Sequence, residues 1–166
     1  MIGSMGGMRM VKFAFAIGAA LTLAACASDK AADGSMLGSM GAGGSAAPGT
    51  SQDFVVNVGD RVFFETDSTD LTSTATATLD KQAQWLNQYP TYAITIEGHA
   101  DERGTREYNF ALGSRRAQVT RDYLVGKGIA ASRLKTVSYG KERPVAVCDD
   151  ISCWSQNRRA VTTLGG

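Results

Sequence analysis

The chain carries a single histidine, His99, among 166 residues. No second histidine and no ordered cluster of acids and cysteines accompanies it, so the sequence offers no ligand set for a metal. No nucleophile is spaced beside it as hydrolase or transpeptidase chemistry would require. We read His99 as a hydrogen-bonding residue at a strand end. An excess of one charge is also missing: 17 basic side chains face 16 acidic ones, for a formal net charge of +1. With no basic block either, a surface that follows a nucleic-acid backbone is excluded. The apolar run from Phe13 to Leu21 is too short for a comfortable transmembrane helix.

What precedes and follows that run gives it a meaning. Arg9 and Lys12 form a positive head, and the run ends in Leu23, Ala24, Ala25 and Cys26. A basic head with a short apolar body reads as an export signal. Its end resembles the lipobox of bacterial lipoproteins, which implies diacylglyceryl and N-acyl chains on Cys26 as the first mature residue. Two or more acyl chains, at roughly 0.8 kcal/mol per buried methylene, make a stable anchor. Ala27 stands where an aspartate commonly marks inner-membrane retention, so the resemblance points to the outer membrane. From Ala27 to Thr50 the chain is rich in Gly, Ala and Ser and lacks periodic apolar residues, the signature of a tether. It would span roughly 25 to 30 Å when relaxed and roughly 80 Å when pulled straight. The expected organisation is a signal peptide over 1–25, a lipidated cysteine and tether over 26–52, and a folded domain over 53–166.

Within that domain, Phe54 to Val58 and Arg61 to Phe64 predict short strands, split by Gly59 and Asp60. Thr72 or Ser73 caps a helix reaching Gln88, with Ala75, Leu79, Ala83 and Leu86 on its inner face and Pro90 just beyond. Tyr92, Ile94 and Ile96 alternate with Ala93, Thr95 and Glu97 as a strand does. A second helix is expected over Arg106 to Val125, followed by strands over Ser132 to Ser138 and Arg159 to Leu164. The predicted class is α+β, in the order β-α-β-α-β-β: a two-layer sandwich with both helices on one face of a mixed sheet.

The segment Gly98-His99-Ala100-Asp101-Glu102-Arg103-Gly104-Thr105-Arg106-Glu107-Tyr108-Asn109, continuing to Leu112, Arg115 and Arg116, is the most specific feature of the chain. With Tyr139-Gly140, Pro144 and Asn157-Arg158-Arg159 it resembles the signature of the OmpA-like peptidoglycan-binding domain, over essentially Val62 to Val161. Helical periodicity separately sets Arg116 about 20° beyond the stripe formed by Tyr108, Leu112, Val119 and Tyr123. A guanidinium there needs an anion, and the pattern leaves open whether a ligand or a structural acid such as Asp122 supplies it. Asp101 falls between a strand end and a helix start, where recognition groups and helix caps are both common.

The resemblance implies the division of labour. The Asp101 carboxylate takes the ammonium of diaminopimelate in the peptidoglycan stem peptide, and the Arg116 fork takes its carboxylate through two hydrogen bonds. Asn109 either points into the same cleft or fastens the loop, and Arg158 adds a second cation that the sequence does not separate from its neighbour Arg159. The implied function is non-covalent wall binding by an outer-membrane lipoprotein of the Tol system, with no cofactor and a periplasmic Tol propeller protein as competing partner. An OmpA-like lipoprotein outside that system and a wall-cleaving enzyme are the alternatives. Cys148 and Cys153, an even pair once Cys26 is lipidated, are expected to form a disulfide in an oxidising compartment, free thiols and a zinc site being the other readings.

Overall fold

The computed structural model describes residues 46–165. The export signal, Cys26 and all but the end of the tether lie outside the described residues.

The described chain opens with a helical turn where a strand is expected. Thr50 accepts the backbone N–H of Asp53 and starts α1, Ser51–Asp53, which runs into a wider π-type turn over Phe54–Val58. The turn closes where Gly59 donates its N–H to the Phe54 carbonyl at 2.9 Å. Three valines and an asparagine look like a strand locally, but tertiary contacts override them. Phe54 is buried edge-on against Trp85, with ring centroids 5.0 Å apart. Asp53 accepts from Trp85 Nε1 at 2.8 Å, from Asn57 Nδ2 at 2.8 Å and from the Gly49 N–H at 2.9 Å. These contacts tie residues from Gly49 onward to α2.

The remaining elements are β1 (Arg61–Phe63), α2 (Ser73–Gln88), β2 (Ala93–His99), α3 (Arg106–Gly126), β3 (Leu134–Gly140), α4 (Ile151–Asn157) and β4 (Arg159–Gly165). Thr72 caps α2 through the Ala75 N–H, and Ala75, Leu79, Ala83 and Leu86 are all buried. The strands lie in the order β1-β4-β2-β3, with β2 parallel to β3 and β4 antiparallel to both β1 and β2. This mixed sheet and its helices make the expected α+β class. The order departs from expectation at α4, a seven-residue helix that no periodic stripe announces. Asp150 caps it by accepting from Ser152 N–H, and a disulfide joins Cys148 to Cys153, their Cα atoms 5.7 Å apart.

One close approach fixes where the site can be. Helix α3 lies so near β2 that a Cβ at Gly113 would come 2.6 Å from Ser138 Oγ and 2.8 Å from the Gly98 carbonyl oxygen. Two glycines let the backbones touch. As a result α3 doubles back over the strand that precedes it, and its middle reaches the loop at the strand's end.

Candidate ligand-binding cleft

That loop, residues 100–105, holds its shape through its own polar groups. Gly104 adopts φ +86°, a conformation that favours glycine, and Thr105 then caps α3 by accepting the Tyr108 N–H. Asn109 donates from Nδ2 to the Arg103 carbonyl at 2.7 Å, and Lys141 donates to the carbonyls of Glu102 and Gly104 at 3.1 and 2.7 Å. Between this loop, α3 and the loop after β1 lies a cleft of about 260 Å³. Asp101, Asn109 and Arg116 all line it, together with Asp67, Arg103 and Tyr108.

Arg116 is the base of the cleft and not the edge of a stripe. It is 0% exposed, and its fork is held by three backbone carbonyls: Ser68 at Nε (3.0 Å), His99 at Nη1 (2.8 Å) and Glu65 at Nη2 (3.1 Å). Asp122 is not its partner; that acid accepts from Gln118 and Arg121. A guanidinium has five N–H donors, so these bonds leave one on each terminal nitrogen. Burial, reinforced by repulsion from Arg158, lowers the Arg116 pKa to about 10. It is therefore a cation at neutral pH, and a desolvated one. Tyr108, expected on the core-facing stripe, is 45% exposed instead and donates its hydroxyl to Asp67 across the cleft.

Asp101 is buried and already has cations. Arg103 grips it with two side-chain bonds, Nε to Oδ1 at 3.2 Å and Nη2 to Oδ2 at 2.6 Å, and Arg158 Nη1 reaches Oδ2 at 3.3 Å. Burial pushes the carboxyl pKa up, but these bonds outweigh it and the group sits below the ordinary carboxylate range. The structure thus separates two adjacent arginines. Arg158 faces Asp101 and the Phe64 carbonyl, whereas Arg159 turns to the carbonyls of Asn157 and Arg143. Arg158 supports Asp101 without lining the cleft.

Asn109 takes both of its possible roles, lining the cleft while fastening the loop. His99 does not take the role expected of it. Its ring is buried, stacks near Tyr139 with centroids 5.5 Å apart, and neither nitrogen has a hydrogen-bond partner among the described residues. The residues that sequence reasoning missed are Asp67, Arg103 and the carbonyls of Glu65 and Ser68. The last two act through backbone, which no side-chain pattern reports. Asp67 does carry a signal, since it holds φ +55° in the loop after β1, but that is visible only in the structure.

The fold is an α+β frame that carries a small cleft lined by side chains of both charges. Residues 63–158 match the OmpA family, and the chain belongs to that family. Among curated proteins it is 68% identical over 149 residues to the peptidoglycan-associated lipoprotein of Agrobacterium fabrum, covering 89% of this chain and 84% of that one. It is 60% identical over 154 residues to the protein of the same name from Brucella melitensis, covering 92% and 91%. Among solved structures, the peptidoglycan-associated lipoprotein of Burkholderia pseudomallei superposes with a TM-score of 0.62 at 42% identity, over 64% of this chain and 90% of that one. The C-terminal domain of Helicobacter pylori MotB, at 21% identity and TM-score 0.61 over 64% of this chain and 84% of that one, shares the fold.

Proposed function

We propose that this protein is an outer-membrane lipoprotein that holds peptidoglycan non-covalently through the diaminopimelate of its stem peptide. The convergence of Asp101, Asn109 and Arg116 on one cleft carries the reading. A diamino-diacid presents an ammonium and a carboxylate. Asp101 takes the ammonium, sharing its oxygens with Arg103 and Arg158. The two spare N–H groups of Arg116 take the carboxylate as a fork. Both charges are largely buried before the ligand arrives and are already held by hydrogen bonds, so less reorganisation opposes binding. The similarity to proteins named peptidoglycan-associated lipoproteins supports the wall as target. The lipobox ending at Cys26 supports lipidation there, and the OmpA-like resemblance supports a periplasmic Tol propeller protein as second partner. No bond in the wall changes; the event is reversible association.

Calorimetric titration with a stem peptide containing meso-diaminopimelate tests the site. Asp101→Asn should weaken binding roughly 30-fold to 1,000-fold because it leaves the ligand ammonium without its partner, and Arg116→Lys should weaken it as well, since a lysine keeps the charge but loses the planar fork. Unchanged affinity in both folded variants would refute the assignment. Co-sedimentation with purified sacculi separates binding from cleavage, because an enzyme would release soluble fragments. Capture from detergent-treated envelopes tests the Tol partnership.

A further inference from the structure

No hydrogen bond joins residues 151–157 of α4 to Asp101, Asn109 or Arg116 among the described residues, yet the helix bears on the loop that carries Asp101. Trp154 lies on α4, one residue past Cys153. Its ring is stacked by the Arg103 guanidinium, 4.1 Å from the centroid, and its Nε1–H donates to the Glu102 carboxylate. Arg103 is the side chain that grips Asp101 with two bonds. A planar cation can hold a carboxylate by its edge and an indole by its face together, and the stack fixes the plane of the fork. The 100–105 loop is thereby pinned from two sides, by Lys141 at its carbonyls and by Trp154 at two consecutive side chains.

We infer that Trp154 is a positioning residue for the binding site, seated by the Cys148–Cys153 disulfide, and that it acts by orienting Arg103 on Asp101. This rests on the proposed reading of the cleft. Besides the Trp154 contacts, the short α4 is held by its Asp150 cap, its covalent loop and Asn157; Asn157 Oδ1 accepts from Val145 N–H at 2.9 Å and its Nδ2 donates to the Ala146 carbonyl at 2.7 Å. Without the disulfide the first turn of α4 loses its tie to residue 148, and Trp154 loses the support that keeps its ring under Arg103. With the ring gone, the exposed Arg103 side chain has only its bonds to Asp101 to set its plane. Asp101 then keeps Arg158 while Arg103 holds it less firmly.

The test uses the purified, oxidised full-length chain and a stem peptide containing meso-diaminopimelate, titrated from pH 7.5 down to pH 3.5. Trp154→Ala should weaken binding roughly tenfold at pH 7.5, Trp154→Phe roughly threefold because it keeps a face for Arg103, and the paired Cys148→Ser, Cys153→Ser variant a few-fold. The acid limb of the binding profile distinguishes positioning from general loosening. The charged groups around Asp101 are Arg103 on its own loop, Arg158 from the α4–β4 junction, Arg116 from α3 and Asp67 from the loop after β1. The Trp154 variants loosen Arg103 and also free the Glu102 carboxylate next to Asp101; both changes favour the neutral Asp101, so the pH at which binding is half lost should move upward in the order Phe, then Ala. A variant that is merely destabilised would shift that midpoint only together with the pH at which it unfolds, which circular dichroism across the same pH range reads. Wild-type affinity and an unmoved midpoint in folded Trp154→Ala would overturn the inference, and wild-type affinity in the paired serine variant would overturn the role of the disulfide. Failure of the unsubstituted chain to bind the peptide at all would instead refute the reading of the cleft.

Discussion

At the scale of single residues, Arg116 shows how one side chain can be core and site together. Its three carbonyl partners come from positions 65, 68 and 99, so it ties the loop after β1 to the end of β2 while facing the cleft. Arg116→Ala would leave three carbonyl acceptors without donors, the His99 one buried and those of Ser68 and Glu65 partly so, at about 1 to 3 kcal/mol for each that water does not reach. The expected loss of several kcal/mol, measured by urea unfolding, makes that variant a poor probe of binding; Arg116→Lys, which keeps the charge, is the better one. His99 makes a prediction of its own. Burial, with repulsion from Arg159 and Arg143, lowers its pKa from 6.5 to about 4. Below pH 6.5 the unfolded imidazole binds a proton that the folded one refuses until about pH 4, so stability should fall as pH drops through that window. The difference amounts to about 3 kcal/mol at most. His99→Phe should flatten the pH dependence of the urea midpoint between pH 6.5 and 4, and a slope equal to that of the parent chain would show that the ring is freely protonated in the folded state. The opposed charges of the cleft were legible because aspartate and arginine announce themselves. The tightness with which each is held was not, because carbonyl groups are the same in every residue.

Among the elements, those with a clean period were readable and those set by long-range contacts were not. The cap at Thr72 and the inner face of α2, the alternation in β2 and the extent of α3 all agree with local pattern, since each buries one face against the same core. Phe54–Val58 forms a helical turn because Trp85 and Asp53 claim its flanks from 32 positions apart. Helix α4 escaped notice because its stability comes from a cap, a covalent loop and Asn157 rather than from an apolar stripe. Closing a loop this short should contribute about 2 kcal/mol, and guanidinium unfolding of the paired serine variant measures it. The contact between α3 and β2 depends on Gly98 and Gly113. A Cβ at Gly113 would meet both a side chain and the backbone carbonyl of Gly98, and relief would push the helix off the strand and Arg116 away from the His99 carbonyl. Gly113→Ala should therefore cost more than 2 kcal/mol and reduce stem-peptide binding as well, whereas unaltered stability would mean that the helix has room to shift.

For the molecule as a whole, the proposed function requires two attachments with different physics. One end is held in lipid by acyl chains at Cys26, where the energy is hydrophobic and grows with chain length; the other is held to the wall by paired charges in a cleft of about 260 Å³, where it is electrostatic and geometric. Among the described residues the domain's core is made from Phe54 onward, and its folding is expected not to depend on the anchor. The two attachments should then be separable. A full-length chain with Cys26→Ser, exported by a signal that does not depend on that cysteine, is expected to lack the acyl mass and to leave the membrane fraction, since no other residue is proposed to enter the bilayer. The same protein should still co-sediment with purified sacculi and bind the stem peptide with parental affinity, because Asp101, Asn109 and Arg116 are untouched. Asp101→Asn in the lipidated chain should give the converse: retention in the membrane and loss from sacculi washed with detergent. Combining both changes should release the protein from membrane and wall alike, and a doubly substituted chain still held by either one would reveal an attachment beyond these two.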